Sequence, residues 1–454
     1  MSKPVTQPAA QDAMHEKRYS LLTALCMIIG ICIGSGIYFR ADNVLIATGG
    51  SVGLGVAMFC IASVVIVFGG LALSVYASRG DDAGGVLSYA SQYLPAPLAR
   101  VFSWNYALLY LPTITAVLCW VVGIYFCMVF GLPGDFALQM AVGVAYLFLC
   151  AAWNVLAPRV AGWFQNATTF IKILPLVAVG AIGLVFNATG AAGSDPVAVA
   201  SAQPPAGLTW LLAAAPIAFS FDGWTISATI APELKNARRN LPIALTVAPL
   251  IVLALYLVYF VGISLVLGPA RVMETGDASL GEFFAQLFGP GASTLPNVIA
   301  LVSVMGTVNG VVLSAMRMPY ALAQTGDVPF SERLARVSPR VGFPVASAAV
   351  GVALSLMWMA AHAAVTSLGL IPNGDISEIA VSFNMLLTAV LLVRVLGFDA
   401  REAGVLRTRV APVVAGIGCV FVASSGLMEP ARWAMVALYV VLIAVLSLWK
   451  RSRV

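Results

Sequence analysis

The chain has 454 residues, 61% of them hydrophobic and only 9% charged, with a formal net charge of +5. Soluble domains carry roughly 25% charged residues, so this composition excludes a soluble globular protein. It implies an all-α polytopic membrane protein, whose apolar runs of about 20 residues cross the hydrocarbon core as helices. The small net charge does not point to nucleic acid. Two histidines, His15 and His362, leave no room for a histidine metal site, and neither a metal nor a cofactor is expected.

Met1 to Ser20 is polar and the first long apolar run follows it directly, so no cleavable signal peptide is expected. Twelve spans are predicted, over 21–48, 52–78, 98–130, 135–156, 164–186, 208–231, 241–268, 293–323, 343–366, 376–397, 409–427 and 430–449. The segments between them are short, which argues against a large module outside the membrane. Orientation follows from lysine and arginine in the loops. With the N-terminus inside, all but five of the 24 lysines and arginines fall on the cytoplasmic side. Arg40, Arg271 and Arg432 fall on the opposite side, and Lys172 and Arg317 lie within spans. Both termini are therefore expected to face the cytoplasm of a cell membrane, inner or plasma. The seven cysteines all lie in apolar runs and read as free thiols packed among helices.

Two spans are interrupted. The first is broken by Gly34-Ser35-Gly36, and the sixth by Phe219-Ser220-Phe221-Asp222-Gly223-Trp224. Irregular backbone survives at membrane depth only where protein buries it or a cavity lines it, and paired breaks in two halves mark a carrier's substrate site. A half-helix starting near Gly36 presents unpaired N–H groups and a positive dipole end, which suit a carboxylate. Gly34 and Gly36 let a ligand approach the backbone closely, and the Ser35 hydroxyl can donate as well. The first half of the sixth span ends near Phe219 and leaves free carbonyls, which suit an ammonium group. Two facing breaks of opposite character recognise a zwitterion, the shared head of an α-amino acid. The alternative is that the small residues serve only close helix packing.

Three segments, Ile33-Gly34-Ser35-Gly36-Ile37-Tyr38, the sixth-span break, and Pro232-Glu233-Leu234-Lys235-Asn236-Ala237-Arg238-Arg239-Asn240-Leu241-Pro242, resemble the amino acid–polyamine–organocation superfamily. So does Arg317-Met318-Pro319-Tyr320-Ala321-Leu322-Ala323 with the following Gly326. The nearest likeness is to bacterial relatives of its L-type amino acid transporter branch. The resemblance implies two inverted five-helix repeats, 21–186 and 208–397, then two peripheral helices, 409–449, between cytoplasmic tails 1–20 and 450–454. It implies a substrate site of Ile33, Gly34, Ser35, Gly36, Ile37, Phe219, Ser220, Phe221, Asp222 and Gly223, with Phe219 as a gate over the bound substrate. It also implies a role for Lys172: some members set a lysine of the fifth span against the first and eighth, where sodium-coupled relatives hold a cation. Transport without sodium is the corresponding expectation. Two departures stand out. Glu233 is alone where relatives often carry two acidic residues, and Asp222 stands where several carry glycine.

Other polar residues leave choices open. An acidic residue at membrane depth is costly and defaults to function. Asp222 can contact a substrate amine, carry a proton, or cap the second half-helix. Arg40 can pair with Asp42 or Glu378, or reach the substrate. Arg317 and His362 read as packing residues, and Ser382 and Asn384 as possible cavity residues. The function expected is a secondary amino acid transporter working by alternating access, with exchange of neutral L-amino acids favoured. Proton-coupled symport, a cationic amino acid or polyamine substrate, and a non-transporting sensor are the alternatives. The stretch Ser78-Arg79-Gly80-Asp81-Asp82-Ala83-Gly84-Gly85 lacks the charged loop motif of the major facilitator carriers. No phosphate-binding Gly-x-x-x-x-Gly-Lys-Ser/Thr loop is present, no selectivity-ring repeat suggests a channel, and the scarcity of acidic residues and histidines within spans argues against an enzyme.

Overall fold

The computed structural model describes residues 19–34, 36–79, 85–190, 209–212, 214–226, 228, 231, 234–324, 328, 330–370, 376–427 and 433–448. Among them there is no strand, only helices, turns and two isolated bridges. Ten helices are long and apolar enough to cross a membrane, and they correspond to the first to fifth and seventh to eleventh predicted spans. The twelfth, Trp433–Leu448, is helical throughout its described length. The sixth breaks into Thr209–Leu212, Ala214–Ala218 and a 3-10 turn at Phe219–Phe221. The fold is therefore that of an all-α membrane protein. Six of the seven cysteines are buried and free; the seventh, Cys60, is exposed.

The core sits where the first span meets the fifth, seventh and eighth. The fifth and seventh pack along each other, as do the third and eighth, the fourth and ninth, and the second with the seventh and eleventh. The close approaches run through small residues, as expected where lipid offers no hydrophobic drive between helices. At Gly30 an added Cβ would lie 2.4 Å from Thr169 Oγ1, so the first and fifth spans touch nearly backbone to side chain.

Proline accounts for one irregularity. The third span runs α-helical over Ala96–Trp104, widens to a π-helix over Asn105–Tyr110, and resumes at Leu111–Phe130. Pro112 has no N–H to give the Leu108 carbonyl one turn earlier. Trp358 of the ninth span fills that vacancy, its indole N–H donating to Leu108 O at 2.7 Å. The eighth span shows a related device beside Pro319. Ser347 Oγ accepts from Tyr320 N at 2.8 Å and donates to Met316 O at 2.6 Å, inserting itself into the helix ladder.

Trp358→Phe should orphan the Leu108 carbonyl at a cost of about 1–3 kcal/mol and lower the melting temperature in detergent. In a Pro112→Ala background, where the helix regains its own donor, the same substitution should cost less. A double-mutant cycle measures the difference, and equal costs in both backgrounds would refute the account.

Candidate functional site

The first span is α-helical over Leu21–Cys32, held at its start by the Ser20 hydroxyl, which accepts from Thr23 N. It stops at Ile33, whose backbone turns extended. The chain resumes as a 3-10 helix at Gly36–Phe39 and as an α-helix at Ala41–Ala47. Ser35 lies outside the described residues. The break falls where the glycines predict it. The half-helix that follows it starts as 3-10, so the N–H groups of Gly36 and Ile37 have no acceptor within their own turn.

Stopping a helix inside a membrane frees its last carbonyls, and every one needs a donor. Lys172 donates to two carbonyls and spends its third proton on a hydroxyl. It is fully buried on the fifth span. Its Nζ donates to Gly30 O at 2.7 Å, Ile33 O at 2.8 Å and Thr307 Oγ1 at 3.2 Å. An ammonium has three protons, and these contacts use all of them. The carbonyls belong to the negative end of the first half-helix, which favours a cation there. Thr307 and Ser303, one turn apart on the eighth span, add hydroxyl donors, Thr307 Oγ1 at 3.1 Å from Gly30 O and Ser303 Oγ at 3.5 Å from Ile33 O. Lys172 thus lies at the junction of the first, fifth and eighth spans.

The other side of the break is held by tyrosines of the seventh span. Tyr259 Oη donates to Tyr38 O at 2.7 Å, and Tyr38 Oη donates to Lys172 O at 2.7 Å. Tyr256 Oη lies 3.1 Å from Cys32 O and 2.7 Å from Ser220 O. One hydroxyl therefore bridges both breaks. It has a single proton for two carbonyls, so each keeps accepting capacity that an ammonium group could use. Neither tyrosine was singled out by sequence reasoning. The signal was their spacing: Tyr256 and Tyr259 are three apart on one helix face.

In the sixth span, Asp222 is extended and Gly223 has φ +92°, a backbone region open to glycine. A Cβ at Gly223 would also come within 2.5 Å of Ile31 Cγ2, so this break presses on the first span just ahead of its own. Phe221 is buried and packs on the Tyr256 ring at 4.8 Å. Phe219 and Ser220 are half-buried, Ile33 and Ile37 are buried, Gly34 is half-buried and Gly36 is exposed. The two breaks thus meet at Cys32 and Ser220 through Tyr256 and at Ile31 and Gly223, while Ser35 lies outside the described residues. Asp222 Oδ2 accepts from Tyr110 Oη of the third span at 3.0 Å, while Oδ1 is buried without a partner among the described residues. Trp224 packs against Gly69 of the second span. Glu233 lies outside the described residues.

The two ends of the bundle differ. At one end a cavity of about 760 Å³ reaches down to Gly36 and is walled by Phe39, Arg40, Tyr125 and Asp277. At the other, Tyr19 and Leu234 form a parallel bridge and Lys235 N donates to Tyr19 O at 2.9 Å, tying the chain before the first span to the chain after the sixth. Of the remaining residues, Arg317 stacks over Phe343 at 5.7 Å and His362 is buried against Trp120 at 4.8 Å. Ser382 Oγ donates to Glu378 O within its own helix, and Asn384 is buried.

Two interrupted spans joined at mid-bundle, with a cavity reaching one of them from one end, define a polytopic membrane transporter. The family follows from comparison. Residues 19–449 match the amino acid permease family, and the chain belongs to it. The chain is similar to the serine/threonine exchanger SteT of Bacillus subtilis, 27% identical over 378 residues, covering 82% of this chain and 81% of that protein. It is similar to the b(0,+)-type amino acid transporter 1 of Mus musculus, 26% identical over 321 residues, covering 69% of this chain and 64% of that protein. The human cystine/glutamate transporter is 25% identical over 341 residues, covering 71% and 64%. The chain thus spans just under two thirds of the length of those two mammalian relatives.

Tyr256→Phe should take the tyrosine donor from Ser220 O, the nearer of its two acceptors, while Cys32 O keeps the Gly34 N–H at 3.0 Å. A loss of about 1–3 kcal/mol in stability and a weaker apparent affinity for amino acids are the expected results. Thermal melts with and without ligand read both quantities, and a variant with unchanged ligand-dependent shift would remove Tyr256 from the site.

Proposed function

We propose that the protein is an amino acid exchanger of the cell membrane, with both termini cytoplasmic, that moves neutral L-amino acids by alternating access without sodium. The observation that carries this reading is Lys172. Its ammonium occupies the carbonyl ends of the first half-helix and the Thr307 hydroxyl, the place where, by family resemblance, sodium-coupled relatives hold a cation. A fixed positive charge there leaves no need for the ion. The zwitterionic head of the substrate would take the N–H groups at Gly36 and Ile37, and the hydroxyl of Ser35, for its carboxylate. Its ammonium would take the carbonyls around Cys32 and Ser220. Phe219 would cover it.

The repeat organisation, 21–186 against 208–397, is part of the same proposal, and the packing supports it. The second and seventh spans, the third and eighth, and the fourth and ninth, which are counterparts under such a two-fold axis, pack directly on each other. The contact of the first span with the seventh is mirrored by that of the sixth with the second. Alternation would open the Tyr19–Leu234 end as the Arg40 end closes. Exchange is favoured over symport by the relatives, one of which is named a serine/threonine exchanger. A second reading, a cationic amino acid or polyamine substrate, rests on the unpartnered Oδ1 of Asp222.

The test is thermal stabilisation of the purified protein by the common amino acids and polyamines, in sodium and in choline buffers, followed by exchange in proteoliposomes. A ligand that binds only the folded state raises the melting temperature by mass action. Neutral amino acids should stabilise equally in both buffers, and Gly36→Trp should abolish the shift. Lys172→Ala should reduce sodium-free exchange at least tenfold, a penalty of about 1.4 kcal/mol. Stabilisation by cationic ligands alone would favour the Asp222 reading, and wild-type exchange by the Lys172 variant would overturn the sodium-independent mechanism.

A further inference from the structure

The cavity above Gly36 is charged in a way that the central site does not require. Arg40 stands in its wall, on the short turn between the 3-10 helix Gly36–Phe39 and the helix Ala41–Ala47. The same cavity is lined by Asp277, in the 3-10 turn Gly276–Ala278 that connects the seventh and eighth spans. The two are close enough to influence each other: burial and the neighbouring Asp42 raise the Asp277 carboxyl above the usual range, and Arg40 opposes that rise. Yet no ion pair within 4 Å joins Arg40 to Asp277, Asp42 or Glu378, all of them described residues. The local acids have other engagements. Asp42 Oδ1 accepts from Asn43 Nδ2 at 3.0 Å, and Glu282, the other carboxylate of the cavity wall, accepts from Arg271 Nε at 2.7 Å. A cation and an anion thus face one space without closing on each other.

That space has an apolar side as well. Phe39 and Tyr125 stack at 5.9 Å with an interplanar angle of 16°, and Met128 adjoins them. At about 760 Å³ the cavity has ample room for one free amino acid. We propose that this vestibule is a second, outer amino acid site, in which Arg40 takes the α-carboxylate, Asp277 the α-ammonium, and the Phe39–Tyr125 face the side chain. A zwitterion is the ligand whose two charges fill the gap that the protein leaves between its own. The site stands directly over Gly36, so a substrate held there is delivered carboxylate-first to the proposed central site. Ion pairs at this exposure are weak, which suits a staging site that must release its ligand inward.

The proposal rests on the exchange reading, and its test separates the two. External KM is measured by uptake of radiolabelled L-serine and L-leucine into cells expressing the full chain. Internal KM is measured by uptake of the same probes into inside-out vesicles from those cells. Arg40→Ala and Asp277→Asn should each raise the external KM about two- to fivefold and leave the internal KM within error. Raising ionic strength should raise the wild-type external KM and have little effect on either variant. If both KM values rise together, Arg40 and Asp277 act at the central site or on the fold, and the outer site is overturned. If neither moves while the wild type exchanges amino acids, the outer site alone is overturned. A wild type that moves neither these probes nor any other amino acid removes the exchange reading and the outer site with it.

Discussion

Everything at the centre of this protein follows from carbonyls that have lost their helix. The first span stops at Cys32 in the middle of the bundle, and the oxygens of Gly30 and Ile33 find their donors on other spans. An unsatisfied backbone group in a low-dielectric interior costs several kcal/mol. The molecule answers from three directions: Lys172 on the fifth span, Thr307 and Ser303 on the eighth, and Tyr256 on the seventh. Lys172 is instructive because the groups its ammonium bonds are two carbonyls and a hydroxyl, none of them a carboxylate. Its counter-charge is the negative end of the half-helix that it caps, so the lysine and the break stabilise one another. Removing either would leave the other as an uncompensated polar group.

The same logic explains why the tyrosines are where they are. Tyr259 holds Tyr38, Tyr38 holds the backbone of Lys172, and Lys172 holds the break. Each link is a hydroxyl donating to a main-chain oxygen. Such bonds fix backbone position without adding charge, which would suit the zwitterion site proposed above.

The span pattern was legible in the sequence because a membrane helix is a length of apolar residues and little else. The breaks were legible because glycine, serine and aspartate interrupt runs that otherwise have no reason to stop. Lys172 stood out as a lone cation about eight residues inside a span. Tyr256, Tyr38, Tyr110 and Thr307 were not legible. In an apolar run they look like ordinary core residues, and their role depends on partners far along the chain, such as Cys32 for Tyr256. The pairing of Pro112 with Trp358 was hidden for the same reason. Proline announces a missing donor, but nothing local says which indole supplies it. Arg40 shows the opposite case. Its charge was visible, and the pairings with Asp42 or Glu378 that the sequence suggested are not made; the acid facing it, Asp277, comes from a turn more than 200 residues later.

The two ends of the bundle carry unequal burdens, and this bears on how such a molecule can move. At one end the first and sixth spans are joined by a backbone bridge between Tyr19 and Leu234, in which Lys235 N donates to Tyr19 O. A single such bond contributes about 0.5–1.5 kcal/mol net. The centre is tied by a charged group with three acceptors and by a chain of tyrosine hydroxyls, and bonds to a charged group are worth about 1.5–3 kcal/mol each. Among the described residues, the bond at that end is thus weaker than each charged contact at the centre. A substrate can shift a conformational equilibrium only by its differential affinity for the two states, and a few kcal/mol is the scale that one zwitterion can supply. In the alternating-access cycle proposed above, those magnitudes would make the cluster around Lys172 and Tyr256 the fixed point and the half-helices on either side of the breaks the parts that pivot.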